Sequence, residues 1–482
     1  MSSTPFASSA AALNLTPNPA PNPAHSLRGW LRHLAATGRL TQAREGVRLE
    51  YELAAIARHF DGQQATYFPE PGGHPFPVVS GLISDRRWIA EAMGVPRERM
   101  LAHYREAVAN PLPWRELPAS EAPVQQEVCL KFDIRHLLPV PRHNEHDSAP
   151  YITAGLLIAR NPKTGVQNVS IHRIQVNAPD RMACLMLPRH LFAYYRMAEE
   201  SGQPLPVAVV IGVDPLTLLA SQAVTPLDVD ELTIAGALQG APLPVVKCRT
   251  SEIRVPAMAE IVIEGHIPPG EREMEGPFGE FPQYYSPQEE REIIRIDCVT
   301  HRRDPIYHTI IPAALEHLLM GSIPREATLL LQLQRLFPNV TDVHLSLGGV
   351  GRYHLYLQMK KTREGEPKNV IMGAFAGHYD IKQVIVVDED VDVHDPQQVE
   401  WAVATRFQAD RDLVVVPGAL GSILDPSTSA GISAKMGLDA TRPLRYEGLS
   451  FTRIRIPGAE QVDPSRDVVA MPAEELARRL AG

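Results

Sequence analysis

The sequence predicts a mixed α/β (α+β) protein in three parts: an N-terminal α/β domain, a central split β-barrel, and a C-terminal α/β domain with a terminal helix. Three observations predict it. Between Val128 and Arg302, short strand-like runs follow one another with only two helical interruptions, as in a barrel-like sheet. After Pro324, helical and strand patterns alternate, the order of an α/β layer. With 482 residues, 44% of them hydrophobic, the chain is long enough for two or three domains, each with its own core. The expected boundaries are a disordered tail at 1–24, then domains at 25–123, 124–323 and 324–482.

Residues 1–24 are rich in Ser, Ala, Pro and Asn. They lack the charged start and apolar centre of a secretory signal and have the composition of a tail. Leu27, Trp30, Leu31 and Leu34 recur at helical spacing, so Leu27–Thr37 is predicted as a helix. Helices are also expected over Arg87–Met93 and Arg97–Val108, with strands at Thr66–Pro69 and Phe76–Ser80. The Pro-rich stretch Asn110–Pro123 closes this part. The central strands are predicted at Val128–Ile134, Ile152–Ala159, Val169–Val176, Val207–Gly212, Glu260–Gly265 and Glu292–Arg302. In the last of these, Ile294, Ile296 and Cys298 alternate with Arg295 and Asp297, the period of a half-buried strand. The two interrupting helices are Arg189–Ser201, stopped by Gly202, and Pro215–Ser221, with proline in its first turn. The C-terminal part reads as helix Pro324–Phe337, strands Val340–Leu347, Tyr353–Met359 and Gln383–Asp388, helix Pro396–Phe407 and strand Asp412–Pro417. A last helix, Pro472–Leu480, is placed to pack on a partner subunit.

Charge and cysteine content narrow the function. The formal net charge is −9 with 21% charged residues, unlike the basic surface of a nucleic-acid binder. Four cysteines, Cys129, Cys184, Cys248 and Cys298, stand far apart with no CxxC pair. That argues against a zinc ribbon or a disulfide framework and points to a reducing cytoplasm. No apolar run reaches the length of a membrane span.

Five segments carry residues with chemistry. In Glu275-Gly-Pro-Phe-Gly-Glu280 two carboxylates flank a turn that cannot be helical. Such a turn can present both acids to one cavity, where mutual repulsion would leave one protonated near neutral pH and a nearby arginine would hold the other ionised. The ordinary alternative is a solvated loop. In Asn168-Val-Ser-Ile-His-Arg173 strand alternation points Asn168, Ser170 and His172 one way and Arg173 the other. His190 follows Pro188 at a predicted helix start, where a capping role is the common outcome. Glu231 stands in a predicted first helical turn, usually just favourable helix electrostatics. Lys435 lies beside Gly437 and can hold a phosphate as a point charge.

Taken together, these segments resemble the UbiD decarboxylase family. The resemblance rests on EGPFGE with AEIVIEG before it and PQYY after it, on NVSIHRIQ, on AVTPLDVDE followed by Ala235-Gly236, on PVVKC, and on AKMGLDAT. It runs in order from about Pro150 to Leu444. It implies prenylated FMN supplied by a separate flavin prenyltransferase, with Mn²⁺ or Mg²⁺ and a nearby K⁺. It implies Asn168, His190 and Glu231 as metal ligands. Ser170, Ile171, His172, Arg173, Arg189 and Lys435 would line the cofactor. It implies a Glu–Arg–Glu relay of Glu275, Arg173 and Glu280, with Glu280 as the proton donor. Pro277 and Phe278 would wall the cavity.

The stretch Tyr307–Met320 resembles members acting on furan or pyrrole carboxylates, which makes His308, His317 and His378 candidate substrate ligands. The expected reaction is reversible, non-oxidative decarboxylation of a heteroaromatic acid. Phenolic or cinnamic-type acids are the alternative. A non-catalytic flavin-binding subunit and a flavin oxidoreductase are readings from other classes. Family resemblance also implies a homodimer or homohexamer in the cytoplasm.

Overall fold

The computed structural model describes residues 22–481. Of the expected tail, residues 1–21 lie outside the described residues. Asn22 accepts a hydrogen bond from Ala24 N and starts the turn Pro23–His25, and Ala24 is buried. Helix Leu27–Ala36 is capped by the Ser26 side chain and buries Leu27, Trp30, Leu31 and Leu34, the spacing read from the sequence.

Four sheets organise the described chain. The N-terminal sheet runs Leu40–Gln42, Ala65–Phe68, Val78–Ser80, Tyr307–His308. Its last strand comes from beyond the central sheet and so fastens the two parts together. The central sheet has ten strands. Its path runs Tyr151–Ile152, Ile174–Ala178, Arg181–Cys184, Glu289–His301, Ile261–Ile267, Leu205–Ile211, Leu156–Arg160, Gln167–Ile171. Glu127–Cys129 and Arg272–Glu275 also pair with the long strand Glu289–His301. The first and last strands of this path are not paired with each other, so the barrel is split, not closed. A three-stranded sheet and a five-stranded C-terminal sheet complete the fold. The C-terminal order is Val340–Leu345, His354–Met359, Gln383–Asp388, Ile432–Asp439, Leu413–Leu420.

Several expectations are corrected. The strand predicted at Val169–Val176 is two, Gln167–Ile171 and Ile174–Ala178. The first pairs with Leu156–Arg160 and the second with Arg181–Cys184 and Tyr151–Ile152. His172 and Arg173 therefore span the seam of the split barrel, released from the ladder. Ile152–Ala159 breaks likewise into Tyr151–Ile152 and Leu156–Arg160. Val128–Ile134 keeps only Glu127–Cys129 as strand, because Asp133 caps a short helix, Ile134–Leu137. The helix placed at Pro324–Phe337 spans Leu315–Leu336 with Pro324 inside it. Proline marks a helix start in isolation, but here the buried packing of this helix overrides the lost hydrogen bond. Lys435 sits within strand Ile432–Asp439 and not at a turn. Helices Glu52–His59 and Glu366–Gly377 are not among the expected elements, although Leu53, Ala54 and Ala57 of the first share one buried face.

Candidate active site

The barrel seam delivers Arg173 to the EGPFGE turn. Glu275 ends strand Arg272–Glu275 and is fully buried. Gly276 then turns the chain with φ +88°, a backbone conformation that glycine alone adopts freely. This turn brings Glu280 back to the same guanidinium. Arg173 Nη2 donates to Glu275 Oε2 at 2.7 Å, and Nη1 donates to Glu280 Oε1. Burial works against the Arg173 charge, but Glu280 and Glu275 outweigh it and hold its pKa above the ordinary value. The Arg173 Nε hydrogen has no partner among the described residues.

Glu275 is held from behind. Tyr151 Oη donates to Glu275 Oε1 at 3.1 Å and also lies 2.6 Å from Gln175 Oε1. Gly276 N–H donates to Gln175 Oε1 at 2.9 Å. Phe278 packs on Tyr151 with ring centroids 4.4 Å apart and lies under the Arg173 guanidinium at 5.4 Å. Glu280 is less enclosed: the residue is 9% exposed, its carboxylate accepts from Arg173 and the Phe281 N–H, and the Arg352 guanidinium lies near enough to act on its charge. Glu275 is the more firmly anchored of the two acids.

Two of the three candidate metal ligands, Asn168 and Glu231, meet at strand Gln167–Ile171, whereas His190 makes no hydrogen bond or ion pair to either among the described residues. Asn168 Nδ2 donates to Glu231 Oε1 at 3.0 Å, and Val169 N–H donates to Glu231 Oε2 at 2.7 Å. Helices His190–Glu200 and Glu231–Gln239 both pack on this strand, and each begins with a candidate ligand. Burial pushes the Glu231 carboxyl up to about 8. Glu231 has no cationic side chain within ion-pair distance among the described residues. A buried carboxylate so placed is short of a positive charge, which a hard divalent cation supplies. The described residues hold no group of three or more His, Cys, Asp or Glu set for a metal. The oxygen of Asn168 would complete the donors.

The face predicted for Asn168, Ser170 and His172 exists. Ser170 Oγ is 3.4 Å from Asn168 Oδ1 and 2.9 Å from His172 Nε2, while His172 Nδ1–H donates to Leu185 O at 3.0 Å. Ile171 closes the strand. Arg189 is exposed, touching the Tyr379 hydroxyl at 3.1 Å. Lys435 is buried, its amine donating to the carbonyls of Tyr379 and Ile381 at 2.8 and 2.7 Å. Tyr379 thus links Lys435 to Arg189.

Sequence reading missed the arginines beside the relay. Arg325 is buried and Arg352 half-buried, and neither forms an ion pair within 4 Å among the described residues. A Cβ on Gly321 would meet Arg352 Nη2 at 2.8 Å and Arg325 Nη1 at 3.5 Å, so both guanidinium groups gather over that glycine. Burial lowers the pKa of both, and Asp380 is the nearby acid that opposes this for each. The Arg352 guanidinium caps the Phe281 ring at 4.3 Å, one residue past Glu280. His317 lies edge-on to Phe281 at 6.4 Å, and burial with these two arginines pushes it down to about 3. His378 joins the same group, stacked on Tyr379 at 5.0 Å and pushed to about 3 by burial and Arg325. His308 does not join it. It is fully buried and bonded to Glu316 at 3.3 Å, which corrects its assignment as a substrate ligand. Arginines scattered at 325 and 352 carry no motif, so no signal in the sequence marked them.

Comparison with known proteins accounts for this arrangement. The descriptions of the 3-octaprenyl-4-hydroxybenzoate carboxy-lyase N-terminal, Rift-related and C-terminal domains match residues 31–108, 115–315 and 318–440. The chain belongs to the UbiD family. UbiD relatives are similar over most of its length. An anhydromevalonate phosphate decarboxylase of Methanothermobacter thermautotrophicus is 41% identical over 369 residues, covering 76% of this chain and 86% of that protein. The UbiD-class enzyme HmfF of Pelotomaculum thermopropionicum, in complex with FMN, is 50% identical with a TM-score of 0.90, covering 92% of this chain and 99% of that one. An evolved dimeric form of the same enzyme, in complex with prFMN, is 47% identical with a TM-score of 0.86 over the same shares. This UbiD chain is a carboxy-lyase, a decarboxylase by family and by fold. No helix among its described residues is long and apolar enough to cross a membrane.

Proposed function

We propose that this UbiD decarboxylase acts on a planar heteroaromatic acid that carries a second anionic group, a furan or pyrrole dicarboxylate being the favoured class. The carrying observation is the Arg325–Arg352 pair, which has no carboxylate within ion-pair distance among the described residues and adjoins Glu280 through Phe281. Two desolvated guanidinium groups near Asp380 but not ion-paired by it are costly unless a ligand brings further negative charge. A carboxylate fits their planar donor forks. His317 is neutral at working pH and adds a donor there. The resemblance of Tyr307–Met320 to furan and pyrrole members favours a five-membered ring.

The cofactor is prenylated FMN, as in the HmfF complex named above. Asn168, Glu231 and His190 would hold Mn²⁺ or Mg²⁺, and Ser170, Ile171, His172, Arg173, Arg189 and Lys435 would hold the cofactor. Bound there, it supplies an electron sink for the carbanion left when CO₂ departs. The chain's own part is to place and protonate. The arginine pair grips the distal anion and aims the reacting carboxylate away from it. Glu280 delivers a proton to the carbon that carried the carboxylate. Arg173 returns Glu280 to position, and Tyr151 and Gln175 hold Glu275 so that the guanidinium stays fixed. The direction of net flow follows CO₂ concentration.

A phosphate as the distal anion is the second reading, favoured by the 41% identical relative named for a phosphate-bearing substrate. CO₂ release from furan-2,5-dicarboxylate, furan-2-carboxylate and a phosphorylated alkenoic acid decides between them. The dicarboxylate should show the lowest KM, by about tenfold or more, because a charge-assisted bond adds about 1.5–3 kcal/mol. Equal KM values for the mono- and dicarboxylate would remove the two-anion reading.

A further inference from the structure

The long helix that carries His317 and Arg325 begins without a cap of its own. Its N-cap is Ala314, which has no side chain to offer. The cap comes from the N-terminal domain: Leu315 N–H donates to both carboxylate oxygens of Asp61, at 3.1 and 3.0 Å. Gly62 brings that segment close, since a Cβ there would meet Leu315 Cδ1 at 2.6 Å. Arg58 then spans the junction. Its Nη1 donates to Asp61 Oδ2 at 3.0 Å and to Ala313 O at 2.9 Å.

Ala313 stands at φ +59°, the left-handed region that an L-residue holds only when its surroundings over-determine it. In this conformation Ala313 N–H donates to His317 Nδ1 at 3.2 Å. A ring accepting at Nδ1 carries its proton on Nε2 when neutral. His317 Nε2 has no hydrogen-bond partner among the described residues, and the ring lies edge-on to Phe281. Glu316, the next side chain of the same turn, accepts from Gly81 and Leu82 N–H at 2.8 Å each. The first turn is thus held twice by the N-terminal domain.

We propose that Asp61 and Arg58 are positioning residues that hold the Ala313 turn left-handed, and so aim the Nε2–H of His317 at the distal anion of the substrate. The inference rests on the two-anion reading and adds to it a specificity device outside the pocket. Neither residue touches substrate or cofactor. Losing the pair should therefore weaken recognition of the distal group and leave the proton relay alone.

The test uses the full-length holoenzyme with furan-2,5-dicarboxylate, and with furan-2-carboxylate followed as substrate or as competitor. Asp61→Ala should raise the KM for the dicarboxylate about tenfold, with kcat and monocarboxylate affinity changed less than about twofold. Asp61→Asn, which still accepts from Leu315 N–H, should recover part of the loss. Ala313→Gly placed in the Asp61→Ala background should recover at least half of it on a logarithmic scale, because glycine adopts the turn without help. Equal losses on both acids, or no recovery by Ala313→Gly, would overturn the proposal. Should Asp61→Ala fold poorly, the Asp61→Asn and double variants carry the same comparison. Arg325→Leu separates the two ideas. If it leaves the ratio of the two KM values unchanged, the two-anion reading fails and the inference with it. If that ratio moves and the Asp61 variants leave it alone, only the positioning role fails.

Discussion

At the scale of single residues, the relay divides labour between two acids that look alike in sequence. Glu275 is tied by Arg173 and Tyr151, whereas Glu280 accepts from Arg173 and one backbone N–H and lies in the field of Arg352. A proton donor must be able to give up its partner, so Glu280 is the acid whose loss should stop turnover. Glu280→Gln is expected to lower kcat by about 10²–10⁴-fold, the usual contribution of a positioned acid, with the bound flavin spectrum unchanged. Turnover near wild type in that variant would take Glu280 out of the chemistry. Both acids and Arg173 were legible through the resemblance of EGPFGE and NVSIHR to the family's motifs, while glycine and proline at 276, 277 and 279 showed only that the acid segment is not helical. Arg325 and Arg352 were not, since what distinguishes them is desolvation without an ion-pair partner among the described residues, a property of the packed molecule.

At the scale of elements, the site depends on places where regular structure stops. The strand pair 151–160 and 167–178 breaks in both members at the same level, and the unpaired residues include Arg173. Gly276 performs the matching break on the acid side. Its φ is +88°, and a Cβ there would lie 2.6 Å from Pro287 O. Gly276→Ala is therefore expected to cost more than about 1 kcal/mol of stability, through the left-handed backbone and the clash with a carbonyl. It should also lower activity by moving Glu280 off Arg173. Thermal melting together with CO₂ release checks this, and an unchanged Tm would show that the turn relaxes. Helix boundaries were the least legible elements. The long helix begins at Leu315 with an imported cap, whereas local sequence offered Pro324 as its start.

At the scale of the whole molecule, burial of ionisable groups sets a pH dependence. His143 is 4% exposed and burial pushes it down to about 3. In the unfolded chain a histidine titrates near about 6.5. Below that pH the unfolded chain binds a proton that the folded chain refuses. This part of the stability is complete above pH 6.5 and falls as pH drops towards 3, by about 1.4 kcal/mol per pH unit. His143→Gln keeps a partner for Thr309 Oγ1, now 2.8 Å from the ring, and removes the titration. Urea unfolding at pH 6 and pH 5 should show wild type losing about 1.4 kcal/mol more than the variant between those two points. Parallel losses would mean that His143 is protonated in the folded chain.

The sequence by itself determined the class of the fold, most central strands and the identity of the acid–arginine–acid set. Each of these is written in local terms: period-two alternation, chain-breaking residues, and short motifs in a fixed order. Only the tertiary structure decided which strands border the opening of the split barrel, that Arg173 stands at its seam, and that two arginines and a histidine gather beside Glu280. Those facts depend on which distant strands pair and which charges end up desolvated together. Contacts between residues far apart in the chain, such as Asp61 with Leu315, leave no trace in any local pattern.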